Sequence, residues 1–293
     1  MDISIIEAGL TVYGNDQRLA VEANLTLRQN AIDFIIYAEE YLQVNRMEAD
    51  KLADRLAELK RRLLAINAGL FERLQVQIRA GRYTPQSLRR ELDLFTGYSP
   101  ERQGETHVGP DGLDALLDGI LELDKRFEGR TQADPDMVHY EPTPARAILD
   151  LIDHVELRAE DVFYDLGSGT GRAVILFGLA TGLRSRGVEV DEELCEYART
   201  LATRLQLANV EFIQADAREA DYSEGTIFFM FTPFRGAILQ TALDKLRREA
   251  ERRAIQVWTY GSCTRWVAEK VGAWLRSEYL GTDGDFQLGI FQS

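Results

Sequence analysis

Three glycines, Gly167, Gly169 and Gly171, occupy alternate positions in the stretch DLGSGTG, with Ser168 between the first two. Glycines at this spacing let a backbone turn sharply and approach a ligand without side chains in the way. Arg172 stands where a dinucleotide fingerprint would place its third glycine, and there is no G-x-x-x-x-G-K-[ST] loop to cradle a triphosphate. Asp165 lies just ahead of the glycines, where a carboxylate repels a pyrophosphate and attracts a cation. Glu189, with Val190 beside it, follows 22 residues after Gly167, a spacing that suits a carboxylate accepting both hydroxyls of a ribose. Asp216 could accept from an exocyclic amine, and the backbone of Ala217 could face the ring.

These residue types describe a site for adenosine bearing a positive group and no phosphate, which is the chemistry of S-adenosylmethionine. The simpler alternative is a glycine turn with capping carboxylates. A second cluster, VHYEPTPA at residues 138–145, lies ahead of the glycines. Thr143 as N-cap and Pro144 at the first helical position explain its second half. They do not explain Tyr140 and Glu141.

The elements that must position these groups are legible after residue 140. DVFYDL, SRGVEV, VEFIQ, TIFFMF and AIQVWTY read as strands, alternating with helical stretches such as RAVILFGLA and EELCEYARTLATRLQ. WLRSEYL and FQLGIF, separated by TDGD, read as a closing hairpin. The expected fold is α/β, a doubly wound, mostly parallel seven-stranded sheet with its ligand at the carboxyl ends of the strands. The first 130 residues read instead as an all-helical domain, giving an expected division into 1–130 and 131–293, with a boundary at EGRTQADPD. A helix is expected from about Asp16 to Leu42 with a face of Leu25, Leu27, Ile32, Ile35 and Ile36. Leu52, Leu56, Leu59, Leu63, Ile66, Leu70 and Leu74 then form a stripe that fits a packed helical hairpin or a dimerising coiled coil. Gly81 closes that helix, and Thr84-Pro85 opens another. SPERQGETHVGPDG, at 99–112, reads as a linker or a lid, and LDALLDGILELD as a short helix.

The segment from Val138 resembles class I S-adenosylmethionine-dependent methyltransferases. YEPTP, DVFYDLGSGTGRAVI and GVEV resemble more narrowly the disruptor-of-telomeric-silencing family of non-SET lysine methyltransferases and its bacterial relatives, over about residues 138–236. That resemblance implies that Tyr140, Glu141 and Thr143 close over the methionine end of the cofactor, with Glu141 pairing to its ammonium group. The expected cofactor contacts are Tyr140, Glu141, Thr143, Asp165, Gly167, Ser168, Gly169, Gly171, Glu189, Val190, Asp216, Ala217 and Phe231. The family carries Asn-Asn-Phe-x-Phe after its fourth strand, whereas this chain reads MFTPF, Met230 to Phe234, without either amide. Phe231, Pro233 and Phe234 would form an apolar wall beside the methyl group, suited to a desolvated amine or a flat aromatic acceptor.

His139 is an ordinary loop histidine or a base, Tyr260 a substrate contact or a structural residue, and no catalytic base is named. Cys195 and Cys263 cannot build a disulfide framework, and the three histidines have no metal spacing. No metal is expected. The net charge of -14 argues against non-specific nucleic-acid binding. No leader or apolar span is read, so the expectation is a soluble cytoplasmic protein. Its partners are a protein or small-molecule methyl acceptor, with a homodimer through the N-terminal helices as a further option. Three readings stay open: a protein methyltransferase acting on lysine, a small-molecule methyltransferase roofed by the helical half, and a non-catalytic cofactor-binding or assembly module.

Overall fold

In the computed structural model the described residues fall into two compact units, one built from 2–45, 49–77, 90–96 and 112–122 and the other from 78–89, 123, 127, 134–280 and 287–293. The 99–111 loop, the first part of the EGRTQADPD segment and the TDGD turn lie outside the described residues.

The first unit is helical. Helix α1 (Ile3–Asn15) is capped by Asp2, whose carboxylate accepts from the Ile5 N–H at 3.0 Å. The single helix expected from Asp16 is interrupted: a 3-10 turn (Gln17–Ala20) precedes α2 (Leu25–Val44). The reason is Arg28, fully buried, whose guanidinium donates to the carbonyls of Val21 and, at 2.8 Å, Glu22 and to Asn67 Oδ1 at 2.7 Å. Carbonyls released by the break therefore keep their partners. Of the expected α2 face, Leu25, Ile32 and Ile35 are buried, while Ile36 is exposed. Helix α3 (Asp50–Arg79) carries the leucine stripe. Leu52, Leu56, Leu59 and Leu63 pack in one core with Ile6 and Leu10 of α1 and Ile32, Ile35 and Leu42 of α2. These four leucines, the first part of the stripe, are thus covered inside their own unit. Gly81, at φ +63°, lies just beyond it. Helix α4 (Pro85–Thr96) starts with Thr84 Oγ1 accepting from the Ser87 N–H, and α5 (Gly112–Leu121) is the short helix read from the sequence.

The second unit holds a seven-stranded sheet. Its strands are β1 (Val162–Leu166), β2 (Arg184–Glu189), β3 (Val210–Gln214), β4 (Ile227–Phe231), β5 (Gln256–Tyr260), β6 (Arg276–Leu280) and β7 (Leu288–Gln292). They lie in the order β3-β2-β1-β4-β5-β7-β6. The first five are parallel, and β7 enters antiparallel between β5 and β6. Helices α6 (Ala145–Asp153), α7 (Arg172–Thr181), α8 (Glu192–Arg204), α9 (Gly236–Ala250) and α10 (Cys263–Val271) complete the unit. Every residue of β1 is buried, as a strand covered on both faces must be. On one face Phe163 stacks on Phe177 of α7 at 4.2 Å, with Trp258 edge-on; on the other, Tyr164 and Phe228 pack with Leu239, Leu243 and Leu246 of α9. The order reverses between β2-β1 and β4, which places the crevice for a ligand beyond the end of β1.

Among the described residues no helix is long and apolar enough to cross a membrane, and no group of acidic, histidine or cysteine side chains could hold a metal ion.

Candidate functional site

The chain leaves β1 at Leu166 and turns at once. The N–H groups of Gly167 and Ser168 both donate to the Val188 carbonyl, at 2.8 and 3.1 Å, which folds the loop over the end of β2. Gly167 has φ +85° and Gly169 φ +53°, in the left-handed region. A Cβ at Gly167 would stand 2.3 Å from Pro233, and one at Gly169 would stand 2.1 Å from the Tyr140 ring. These two glycines therefore meet two separate demands, a backbone angle and close packing against the two segments flanking the loop. Gly171 caps α7, and Ser168 Oγ is buried without a hydrogen-bond partner.

The three strand-end carboxylates occupy different environments. Glu189 is buried, with Oε2 accepting from the Gly169 N–H at 2.8 Å and Oε1 from the Asp191 N–H at 2.9 Å. Burial pushes its carboxyl above the ordinary value, opposed by those N–H groups. A carboxylate retains lone pairs after two such bonds, so ribose hydroxyls can still be accepted. Asp165 is buried as well, and burial together with the Glu189 charge raises its carboxyl well above the ordinary range. It does not line the cavity. Asp216 is held in a bidentate pair by Arg218, Nη2 to Oδ2 at 2.6 Å, which keeps its carboxyl below the ordinary value.

Two segments form the rims. Along the first, the Tyr140 ring lies against Gly169, and its hydroxyl hydrogen-bonds the Thr170 hydroxyl at 2.6 Å. His139 Nε2 and Glu141 Oε1 pair at 2.9 Å, both about half exposed. Thr143 is not the N-cap expected from the sequence. Helix α6 begins at Ala145 with Pro144 in the cap position, and the Thr143 carbonyl accepts from Arg172 Nη1 at 3.2 Å instead.

The second rim follows β4. Thr232 adopts φ +45°, its N–H donating to Cys263 Sγ while its Oγ1 accepts from the Cys263 N–H. Burial raises the Cys263 thiol, which leaves it a structural group rather than a nucleophile. The Tyr260 ring packs on that of Phe231, centroids 5.1 Å apart.

A cavity of about 430 Å3 opens between these rims at the carboxyl ends of the strands. Of the expected contacts, Tyr140, Glu141, Gly167, Glu189, Val190, Asp216, Ala217 and Phe231 line it. Thr143, Asp165, Ser168, Gly169 and Gly171 do not line it, although the Gly169 N–H donates to the lining residue Glu189. Sequence reasoning missed Met137, Leu194, Ile238, Gly261 and Ser262, which also face the cavity. Ser262 adjoins α10, a nine-residue helix with Cys263, Val267 and Val271 buried, which was not read from the sequence. Three carboxylates and no lysine or arginine stand among the lining residues, a donor set that fits a cationic ligand and not a phosphate.

The family model described as "Histone methylation protein DOT1" matches residues 136–228, which contain most of these groups. The chain resembles the DOT1 methyltransferases. A curated protein-lysine N-methyltransferase of Saccharolobus islandicus is 28% identical to the chain over 96 residues, 32% of this chain. The chain spans 60% of the length of that relative. Among solved structures, an RNA methyltransferase from Salinibacter ruber in complex with S-adenosyl-L-homocysteine has a TM-score of 0.42 at 27% identity, covering 52% of this chain and 93% of that one. A SAM-dependent methyltransferase from Aquifex aeolicus has a TM-score of 0.39 at 16% identity, covering 50% and 88%. The DOT1-like segment begins at Asp136 and ends at Phe228 inside β4, before the Thr-Pro-Phe rim.

Proposed function

We propose that the second unit is an S-adenosylmethionine-dependent methyltransferase acting on a protein lysine. The observation that carries this reading is the convergence of the glycine loop, Glu189, Asp216 and the Tyr-Glu-Pro segment on one cavity free of lysine and arginine. In this reading Glu189 accepts the ribose hydroxyls, Ala217 and Asp216 face the adenine, and Tyr140 and Glu141 stand at the methionine end. Bound there, the cofactor would supply an electrophilic methyl group on a positively charged sulfur, whose departing thioether would be neutral.

The chain's own work is alignment and exclusion of water. Phe231, Pro233 and Phe234 line the cavity together, and an apolar wall favours the neutral, nucleophilic form of an amine over its ammonium. His139 is occupied by Glu141, and no general base is assigned. A small-molecule acceptor is the second reading, favoured by the absence of amide side chains from Met230 to Phe234.

Methyl-labelled S-adenosylmethionine incubated with the protein and fractionated cell extract separates the two. Label in a protein band supports lysine transfer, and label in the small-molecule fraction supports the second reading. Cofactor binding without label in any fraction leaves only a binding module. Glu189→Ala should weaken binding by about 10- to 100-fold, the scale of lost hydrogen bonds to a charged group. Unchanged affinity in calorimetry removes the ribose assignment.

A further inference from the structure

The two rims of the cavity are far apart in sequence but joined by one short ladder. The Val138 N–H donates to the Pro233 carbonyl at 3.0 Å, and the Arg235 N–H donates to the Asp136 carbonyl at 2.8 Å. Met137 and Phe234 stand opposite each other as an antiparallel bridge between them. Residues 136–138 thus act as a two-bond strand on the segment that follows β4.

Asp136 adds a side-chain bond to this backbone pairing. Its Oδ2 accepts from the Ala237 N–H at 2.9 Å, across 101 residues of sequence. Ala237 lies in the first turn of α9, where N–H groups lack intrahelical partners, and Arg235 in the cap position supplies no side-chain bond. A carboxylate from outside the helix does the capping, and the positive end of the helix dipole favours its charge. Gly236 leaves room for it: at φ +54°, a Cβ there would stand 2.4 Å from both carboxylate oxygens. Asp136 is itself held in place, its N–H donating to Asp134 Oδ1 at 2.9 Å, while Arg235 Nη2 donates to the Pro135 carbonyl at 3.1 Å.

What the clamp joins is informative. Met137 and Val138 line one side of the cavity and run directly into Tyr140 and Glu141; Pro233, Phe234 and Ile238 line the other. We infer that Asp136 is a positioning residue of the methyl-transfer site, locking the segment at the methionine end of the cofactor to the wall at the acceptor end so that both hold one geometry. This rests on the methyltransferase reading above. Asp136 touches neither reactant. It acts through the two rims, so its loss must be felt by a ligand that reaches the methionine end and not by one that stops at the ribose.

Calorimetry of the full chain with S-adenosylhomocysteine and with adenosine, at 25 °C and alongside a melting curve, tests this. Asp136→Ala should weaken S-adenosylhomocysteine binding about 5- to 30-fold, the equilibrium factor of a lost helix cap, with adenosine binding unchanged. Asp136→Asn, which keeps an acceptor for the Ala237 N–H, should restore most of the affinity. Gly236→Ala, which crowds the same carboxylate from the helix side, should reproduce the split between the two ligands. Equal losses for both ligands, or a lowered Tm with both affinities intact, would overturn the positioning role. Failure of the wild-type chain to bind S-adenosylhomocysteine overturns the methyltransferase reading itself, and the clamp's role with it.

Discussion

Leu56, Leu63 and Leu70 lie fully buried on one face of α3, and each fills volume that another apolar chain of similar size could fill. Around the cavity, a Cβ at Gly167 or Gly169 would stand 2.3 Å from Pro233 or 2.1 Å from Tyr140, so either added methyl forces its neighbour to move. The helical unit is built largely from interchangeable apolar parts, with exceptions at the buried polar residues Arg28, Asn67, Gln75 and Asp114 and at Gly9 and Gly119, where a Cβ would stand 2.1 Å from a phenylalanine ring. The cavity is built from parts that fit one neighbour each. A hydrophobic core tolerates repacking at constant volume, whereas a backbone that passes within contact distance of another segment accepts anything larger than hydrogen only by displacing that neighbour.

Truncation and exchange should separate the two behaviours. Leu63→Ala should cost about 2–5 kcal/mol in urea unfolding, because it removes buried methyl groups and leaves a cavity. Leu63→Met should cost less than about 1.5 kcal/mol, since volume is conserved. If both variants lose the same stability, the leucine stripe is as specific as the site and the contrast fails.

Gly169→Ala should cost less stability than Leu63→Ala, about 1–2 kcal/mol for an L-residue in the left-handed region. Its larger consequence is functional. The added methyl must displace the Tyr140 ring, so binding of S-adenosylhomocysteine should fall while adenosine binding falls less. Wild-type affinity for both ligands in this variant would show that Tyr140 need not lie on the glycine loop.

The same contrast explains what could be read from the chain in advance. The β-strands were legible because a fully covered parallel sheet writes itself as short apolar runs such as VFYDL and IFFMF. The leucine stripe of α3 was legible because its period persists over a 30-residue helix. The glycines and strand-end carboxylates were legible because their spacing is local. Everything that depended on a distant partner was not. The break before α2 is held by Arg28, which is bonded to Asn67, and Arg172 takes the Thr143 carbonyl ahead of α6. Helix α1 was passed over because a two-residue buried face, Ile6 and Leu10, is too short a period to see. Asp136 looked like part of a linker, since nothing in ADPDM announces that α9 lies a hundred residues later.

The smallest expected effect falls between the generic and the specific, on α6, the helix that follows the Tyr-Glu-Pro segment. Burial raises the Asp150 carboxyl to about 6, assisted by Asp153 and opposed by Arg146, His154 and Arg89. Arg89 is already bonded to Asp153, so little of its charge is spare for Asp150. A carboxyl whose folded value lies above its unfolded one binds more protons folded than unfolded between the two. Its contribution is therefore fully present below about pH 4, the unfolded value, and is lost as pH rises through about 6. Asp150→Asn keeps the shape and cannot ionise. The variant should match the wild type near pH 4 and exceed it above pH 6 by on the order of 1 kcal/mol, after discounting for the part of the side chain that water still reaches. Urea midpoints at pH 4, 5, 6 and 7 would check this, and parallel curves for the two proteins would mean that Asp150 ionises as freely in the fold as out of it.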